Sequence, residues 1–175
     1  MIWTILFSLL ALFLLIWNIS LLVSVIYGAP TVYASNKTIL QAFKLAGLKS
    51  GQTVVDLGCG NARALIIASK HFNAKGIGIE ISPFYFCLAK LNVLLNRRSD
   101  DIKIVYGNLR NSKKLIPQAD IVYLYLFGKI VKEIESDIFG NAKKGSKIIS
   151  LGFEFINHKH SISSHKPLIL IYFKK

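Results

Sequence analysis

No charged side chain precedes Lys37. Acidic residues are scarce along the whole chain, 9 Asp and Glu against 22 Lys and Arg, which leaves a formal net charge of +13. There are only 2 cysteines and 4 prolines in 175 residues. Cys59 and Cys87 form no CxxC pair and no zinc-type spacing. A disulfide scaffold and a small zinc module are therefore excluded, and a reducing compartment suits two free thiols. Low charge also excludes a disordered chain: 18% of residues are charged and 53% hydrophobic. The mean hydropathy of +0.47 is above that of an ordinary soluble domain, and the excess lies at the N-terminus.

Residues 2–27 form one apolar run interrupted by Thr4, Ser8, Asn18, Ser20 and Ser24. As a helix it would be ~39 Å long against a hydrocarbon core of ~30 Å, enough to span with tilt. Trp3 and Tyr27 sit near its ends, where amphipathic rings favour the membrane interface, and Gly28-Ala29-Pro30 is expected to stop it. A cleaved signal peptide normally has a basic leader and a shorter apolar core, so a retained anchor is the better reading. Lys37, Lys44 and Lys49 follow the run. The positive-inside rule then places the rest of the chain in the cytoplasm, as a single-pass membrane protein. The basic excess fits either a domain beside anionic headgroups or a generally lysine-rich chain. No nucleic-acid motif appears, so the lipid bilayer, rather than nucleic acid, is the expected partner.

Beyond the anchor, segments of helical and strand character alternate. Thr38–Ala46 has apolar residues at helical spacing. Short apolar strands are expected at 53–57, 75–80, 102–106, 119–126, 146–151 and 167–173, with helices at 62–72, 83–96 (capped by Ser82) and 129–139. Strands apolar along their whole length and separated by helices predict a parallel sheet covered on both faces. The last strand follows the fifth without an intervening helix, so it is expected to run antiparallel to it.

The chemistry concentrates in Val54-Val55-Asp56-Leu57-Gly58-Cys59-Gly60-Asn61-Ala62. A strand ends in an acid, and a Gly-x-Gly turn leads into a helix whose N-terminus favours a carboxylate or phosphate. Glu80 ends the next strand, placed to accept hydrogen bonds from ribose hydroxyls. The third glycine of a dinucleotide fingerprint would fall at Arg63, and Asp56 would repel a pyrophosphate. S-adenosylmethionine carries a sulfonium, an ammonium, a carboxylate and a ribose but no phosphate, and it fits this pattern of charge.

The run VVDLGCG followed by GIGIEIS resembles motifs one and two of the class I S-adenosylmethionine-dependent methyltransferases. The order of apolar helix, Gly-Ala-Pro, short helix and motif one is similar to the membrane-anchored ATP-synthase c-subunit lysine N-methyltransferase family. The resemblance implies an α/β fold, a Rossmann-like sheet of order 3-2-1-4-5 plus a final antiparallel strand. It implies an anchor over 1–27, a connecting segment and helix over 28–52 and a methyltransferase domain over 53–175. It assigns Asp56, Gly58, Cys59 and Gly60 to the methionine-binding loop, and Glu80 with Ile81 to the ribose. Asn108 with Leu109 falls at the adenine position, where relatives often carry Asp. Tyr123 and Tyr125 would border the methyl-acceptor pocket. Asn61-Ala62 departs from the acid and glycine usual after Gly-x-Gly.

The implied activity is protein-lysine N-methylation of a membrane protein. Methylation of a lipophilic small molecule such as a quinone or lipid, and a non-catalytic methyltransferase-fold scaffold, stay open as alternatives. Aromatics in a buried strand are also commonly core, which leaves Tyr123 and Tyr125 two readings. His158, His160 and His165 are expected in a polar loop rather than around a metal. Glu133 and Glu135 are expected to be solvated near Lys129 and Lys132. Asp120 begins the fourth strand, at the end away from the site.

Overall fold

The computed structural model describes residues 1–26 and 33–174. The expected helix stop at Gly28-Ala29-Pro30, and the interfacial Tyr27, lie outside the described residues. Helix α1 (Ile2–Ile26) is followed by α2 (Asn36–Ala46), β1 (Thr53–Leu57), α3 (Arg63–Phe72), β2 (Lys75–Glu80) and α4 (Pro83–Leu95). Then come β3 (Ile102–Tyr106), two 3-10 turns, β4 (Ile121–Leu124), α5 (Gly128–Asn141), β5 (Lys147–Leu151), β6 (Ile162–His165) and β7 (Leu168–Phe173).

The strands form one sheet of order β3-β2-β1-β4-β5-β7-β6. Strands β1 to β5 are parallel to their neighbours, and β7 runs antiparallel to β5, as the missing crossover helix predicted. The sequence reading missed β6, which pairs antiparallel with β7. It was expected to be loop because Ile162-Ser163-Ser164-His165 is short and polar. The strand is held by its pairing to β7 rather than by an apolar pattern of its own.

Two apolar layers cover the sheet. On one face, α2 inserts Ile39, Ala42, Phe43 and Ala46 into a cluster with Leu65 and Ala68 of α3 and Ile149, Ile169 and Ile171 of the sheet. Ser35 caps α2 through its hydroxyl, which accepts from the Thr38 amide at 3.1 Å, an arrangement worth about 1 kcal/mol. On the other face, Ile130, Val131, Ile134 and Ile138 of α5 pack on Val55, Val122, Ile148 and Leu170. The helix after the connecting segment is thus part of the same core as the sheet.

Glu135 corrects an expectation. It is buried rather than solvated. Its carboxylate accepts from the Asn157 amide at 2.7 Å and the Ile156 amide at 3.2 Å, and pairs with His158 Nδ1 at 2.8 Å. The helical spacing places Glu135 on the face that also carries Ile134 and Ile138, and the segment after β5 folds over it. Glu133, on the exposed side, pairs with Arg110 instead of the neighbouring lysines. Asp120 accepts from the Thr53 amide at 2.7 Å and pairs with Lys143 at 2.6 Å, tying the starts of β1 and β4 together.

Helix α1 is long and apolar enough over Ile2–Ser20, by length and composition, to cross a membrane, and apart from Ser20 at its end that stretch is not buried by the rest of the chain. It is not wholly separate from the domain. Phe13 and Trp17 pack edge-on against Phe84 of α4, and the hydroxyls of Ser20 and Ser82 share a hydrogen bond.

Candidate active site

The carboxyl ends of β1, β2 and β4 open into a cleft of about 890 Å³, its solvent mouth included. Its walls include Asp56, Gly58, Cys59 and Gly60 from the turn after β1, and Glu80 and Ile81 from the end of β2. Asn108 and Leu109 line it after β3, and Tyr123 and Tyr125 at β4. The ten site residues expected from the sequence thus line one cavity, at the strand ends where open α/β sheets bind ligands.

Glu80 is held from two sides. The Gly60 amide donates to Oε2 at 2.8 Å, and the Ser82 amide donates to Oε1 at 2.8 Å. Burial pushes the carboxyl up, and the hydrogen bonds from Ser82, Gly60 and Ile81 oppose that rise. Each carboxylate oxygen keeps a further lone pair, so the group can still accept from two hydroxyls. Gly60 has φ +53, and a Cβ there would meet nothing within 4 Å, so the turn is open to a ligand. Gly78 answers a different need: a Cβ there would stand 2.6 Å from Cys59 Sγ. Cys59 is packed into that gap, and burial pushes its thiol up, which makes it a filler rather than a nucleophile.

Asp56 is 3% exposed and makes no hydrogen bond or ion pair with the described residues. Burial, and the nearby charge of Glu80, push its carboxyl up to about 8. A buried acid without a partner, at the edge of a cleft, calls for a cation from a ligand. Ammonium and sulfonium groups fit this position, and a phosphate does not.

The altered tail of motif one has a local explanation. Ala62 sits in the left-handed region, φ 63 and ψ 18, at the entry to α3, which is why a glycine suits this place. Asn61 Oδ1 accepts from the Arg63 amide at 3.3 Å, covering one of the open amides of the helix start. The Asn61 carbonyl in turn accepts from Asn92 Nδ2 at 3.1 Å. Asn108 also works locally, accepting from the Arg110 amide at 3.0 Å while facing the cleft.

Tyr123 and Tyr125 divide. Tyr123 is 3% exposed and packs against the core residue Phe43, while its own side chain also lines the cleft. Tyr125 is half-buried and lies between the cleft and a second groove walled by Tyr33, Thr38, Leu151, Gly152, Pro167 and Leu168. Among the cleft residues that carry no signal in the sequence motifs are Tyr33 and Arg63. Tyr33 lies in a connecting segment without periodicity, and Arg63 stands where a dinucleotide fingerprint would have its third glycine. Arg63 stacks its guanidinium over the Tyr33 ring at 5.5 Å, putting a cation at the N-terminus of α3 where a carboxylate would be drawn.

Fold and cleft together define a class I S-adenosylmethionine-dependent methyltransferase. Residues 56–161 match the family model of the ANTKMT methyltransferase domain, and the chain belongs to that family. It is 29% identical over 126 residues to a protein-lysine N-methyltransferase of Saccharolobus islandicus, covering 71% of this chain and 77% of that one. It is also 29% identical over 124 residues to a ribosomal protein L11 methyltransferase of Shouchella clausii, covering 70% of this chain but 37% of that protein. An RNA methyltransferase from Salinibacter ruber, solved with S-adenosylhomocysteine, shares the fold. Its TM-score is 0.78 at 22% identity, over 82% of this chain and 94% of that one.

Proposed function

We propose that this chain is a membrane-anchored protein-lysine N-methyltransferase that binds S-adenosylmethionine in the cleft at the ends of β1 and β2. The observation that carries the acceptor side is the groove beyond Tyr125. It adjoins the cleft, shares Tyr33, Ala34 and Tyr125 with it, and is lined by no charged side chain among the described residues. A lysine must lose its proton before it can attack, and an uncharged, partly aromatic channel lowers its pKa by desolvation. The protein-lysine N-methyltransferase relative supports the same substrate class. The apolar stretch Ile2–Ser20 supports attachment to a bilayer, with the lysines that follow it on the cytoplasmic side.

When bound, S-adenosylmethionine supplies a methyl group already activated on a sulfonium. The chain's own residues then have three tasks. Glu80 accepts the ribose hydroxyls and fixes the ligand along the end of β2. Asp56 balances the ligand's positive charge, and Arg63 with the α3 N-terminus takes its carboxylate. Tyr125 and Tyr33 exclude water and align the incoming amine, so that proximity and orientation supply most of the rate. No side chain is assigned as a general base; desolvation of the amine serves that purpose.

The test is incubation of membranes with the protein and labelled methyl donor, followed by fractionation and proteolytic mapping. Label on lysine of a membrane polypeptide supports the reading. Label in the lipid extract would transfer the site to a lipophilic small molecule, and no label despite bound cofactor would indicate a scaffold.

A further inference from the structure

Helix α4 has two apolar faces, and the domain uses one of them. Tyr85, Ala89 and Val93, at four-residue spacing, are buried, Ala89 and Val93 within the core cluster on the sheet. The opposite face carries Phe84, Cys87, Leu88, Leu91, Leu94 and Leu95, which share one side at helical spacing. Leu91, Leu94 and Leu95 are 50%, 63% and 70% exposed. A helix apolar all round is expected inside a core or in lipid, and this face is in no core.

The start of this stripe is already in contact with α1. The Phe84 ring lies 4.7 Å from Trp17 and 6.3 Å from Phe13, centre to centre. The Phe84 amide donates to the Ser20 hydroxyl at 3.3 Å. Phe13, Trp17 and Ser20 form one face of α1, and Phe13 stands about 10 Å along the axis from Ser20. If Ile2–Ser20 fills the hydrocarbon core, a side chain resting on Phe13 and Trp17 lies below the headgroups. That depth, about 5–10 Å, is where interfacial helices bury their apolar side. Lys90 is the one charged residue of α4, and Arg97 follows its end; both are exposed and suit anionic headgroups.

We infer that the outer face of α4, from Phe84 through Leu95, lies in the surface of the bilayer that holds α1. This rests on the anchor reading above and goes beyond it: the domain does not hang from a tether but lies on the membrane in one orientation. Because Ser82, the cap of α4, donates its amide to Glu80, that orientation is set directly beside the cofactor cleft. The acceptor groove is thereby held at a fixed height above the bilayer, so the enzyme selects lysines by their distance from the membrane.

Cys87 provides the test, since it is exposed on this face whereas Cys59 is buried. Full-length protein is reconstituted into phosphatidylcholine–phosphatidylserine vesicles with an environment-sensitive fluorophore on Cys87, and brominated lipids are added as quenchers. Parallel samples carry Leu10→Cys or Lys144→Cys in a Cys87→Ser background. The expected result is a blue-shifted Cys87 label losing about half of its emission to bromolipid, with Leu10→Cys quenched and Lys144→Cys unquenched. The double variant Leu91→Glu, Leu95→Glu should abolish the quenching at Cys87 and leave that of Leu10→Cys. A Cys87 label that stays unquenched while Leu10→Cys is quenched overturns the inference and spares the anchor. Absence of quenching at Leu10→Cys overturns both. A Cys87 label that shifts without bromolipid quenching reports cover by protein, and also overturns it.

Discussion

The Gly60 amide donates to Glu80 Oε2 at 2.8 Å, joining the turn after β1 to the end of β2. On the proposed reading, the acid that would accept from the ribose therefore also shapes the loop that would face the methionine part of the ligand. Glu80→Gln can accept from one backbone amide but presents its own N–H₂ to the other. Loss of a charge-assisted bond, with a donor left unpaired, is worth about 1.5–3 kcal/mol. Affinity for S-adenosylhomocysteine should fall about 10- to 100-fold by calorimetry, and the melting temperature should fall with it. An unchanged affinity would remove Glu80 from the ribose site.

Asp56 and stability should trade against each other. Its folded pKa of about 8 lies above the ordinary carboxylate value, so the folded state holds the proton more tightly than the unfolded chain. Stability from this group is full below the unfolded pKa of ~3.9 and is lost as pH rises toward 8. In the absence of ligand, Asp56→Asn should raise the melting temperature by several degrees at pH 8 and by little near pH 4. The same change should weaken S-adenosylmethionine by about 10- to 100-fold, because the carboxylate faces a cation. Competition by adenosine, which has no cation, should not change. Thermal scans at both pH values, with the two ligands, check this.

Ala62 holds a left-handed conformation that costs an L-residue roughly 1–2 kcal/mol, against less than 1 kcal/mol of extra chain entropy for glycine. Ala62→Gly should therefore leave cofactor affinity unchanged and raise stability by up to about 1 kcal/mol in urea unfolding. A loss of stability would mean that the methyl group's packing outweighs the strain.

The parallel core was legible because apolar strands, the Gly-x-Gly turn and a capped helix all pointed to one topology. The place of Asp56 and Glu80 in the cleft was legible because both lie at the carboxyl ends of neighbouring parallel strands, where open α/β sheets carry their crevice. Three features were hidden for physical reasons. β6 is polar and is held by pairing with β7. Glu135 looks like a surface residue on α5 until the segment after β5 folds back to supply its donors. Tyr33 comes from a connecting stretch, and its place is fixed by Arg63 and by Tyr85, 6.5 Å away between ring centres, neither near it in sequence.

Glu135 should govern the acid limit of the fold. Burial pushes its carboxyl up, but His158 and the Asn157 and Ile156 amides outweigh this and hold it below the ordinary range. The stability it contributes is present above the unfolded pKa of ~4.3 and disappears as pH falls through the lower folded value. Glu135→Ala leaves two backbone amides without their acceptor and should cost about 2–4 kcal/mol at neutral pH, with a smaller difference below pH 4. Urea unfolding at pH 7 and pH 3.5 measures both.

Tyr125 and Tyr123 should respond in opposite ways to the same substitution, because one lies between two cavities and the other is in the core. Tyr123→Ala removes a ring packed 5.4 Å from Phe43 and should destabilise the fold by about 3–5 kcal/mol. Tyr125→Ala opens the wall between the cleft and the groove while leaving the core intact, so its melting temperature should stay within a few degrees of the parent. Its methyl-transfer rate should fall about 10- to 1,000-fold, since water enters and the amine loses its alignment. Cofactor affinity should change much less than the rate. Tyr125→Phe keeps the ring and should recover most of the activity if the tyrosine acts by shape and exclusion of water. Failure of Tyr125→Phe to recover, with the fold intact, would instead give the hydroxyl a direct part in orienting the acceptor nitrogen.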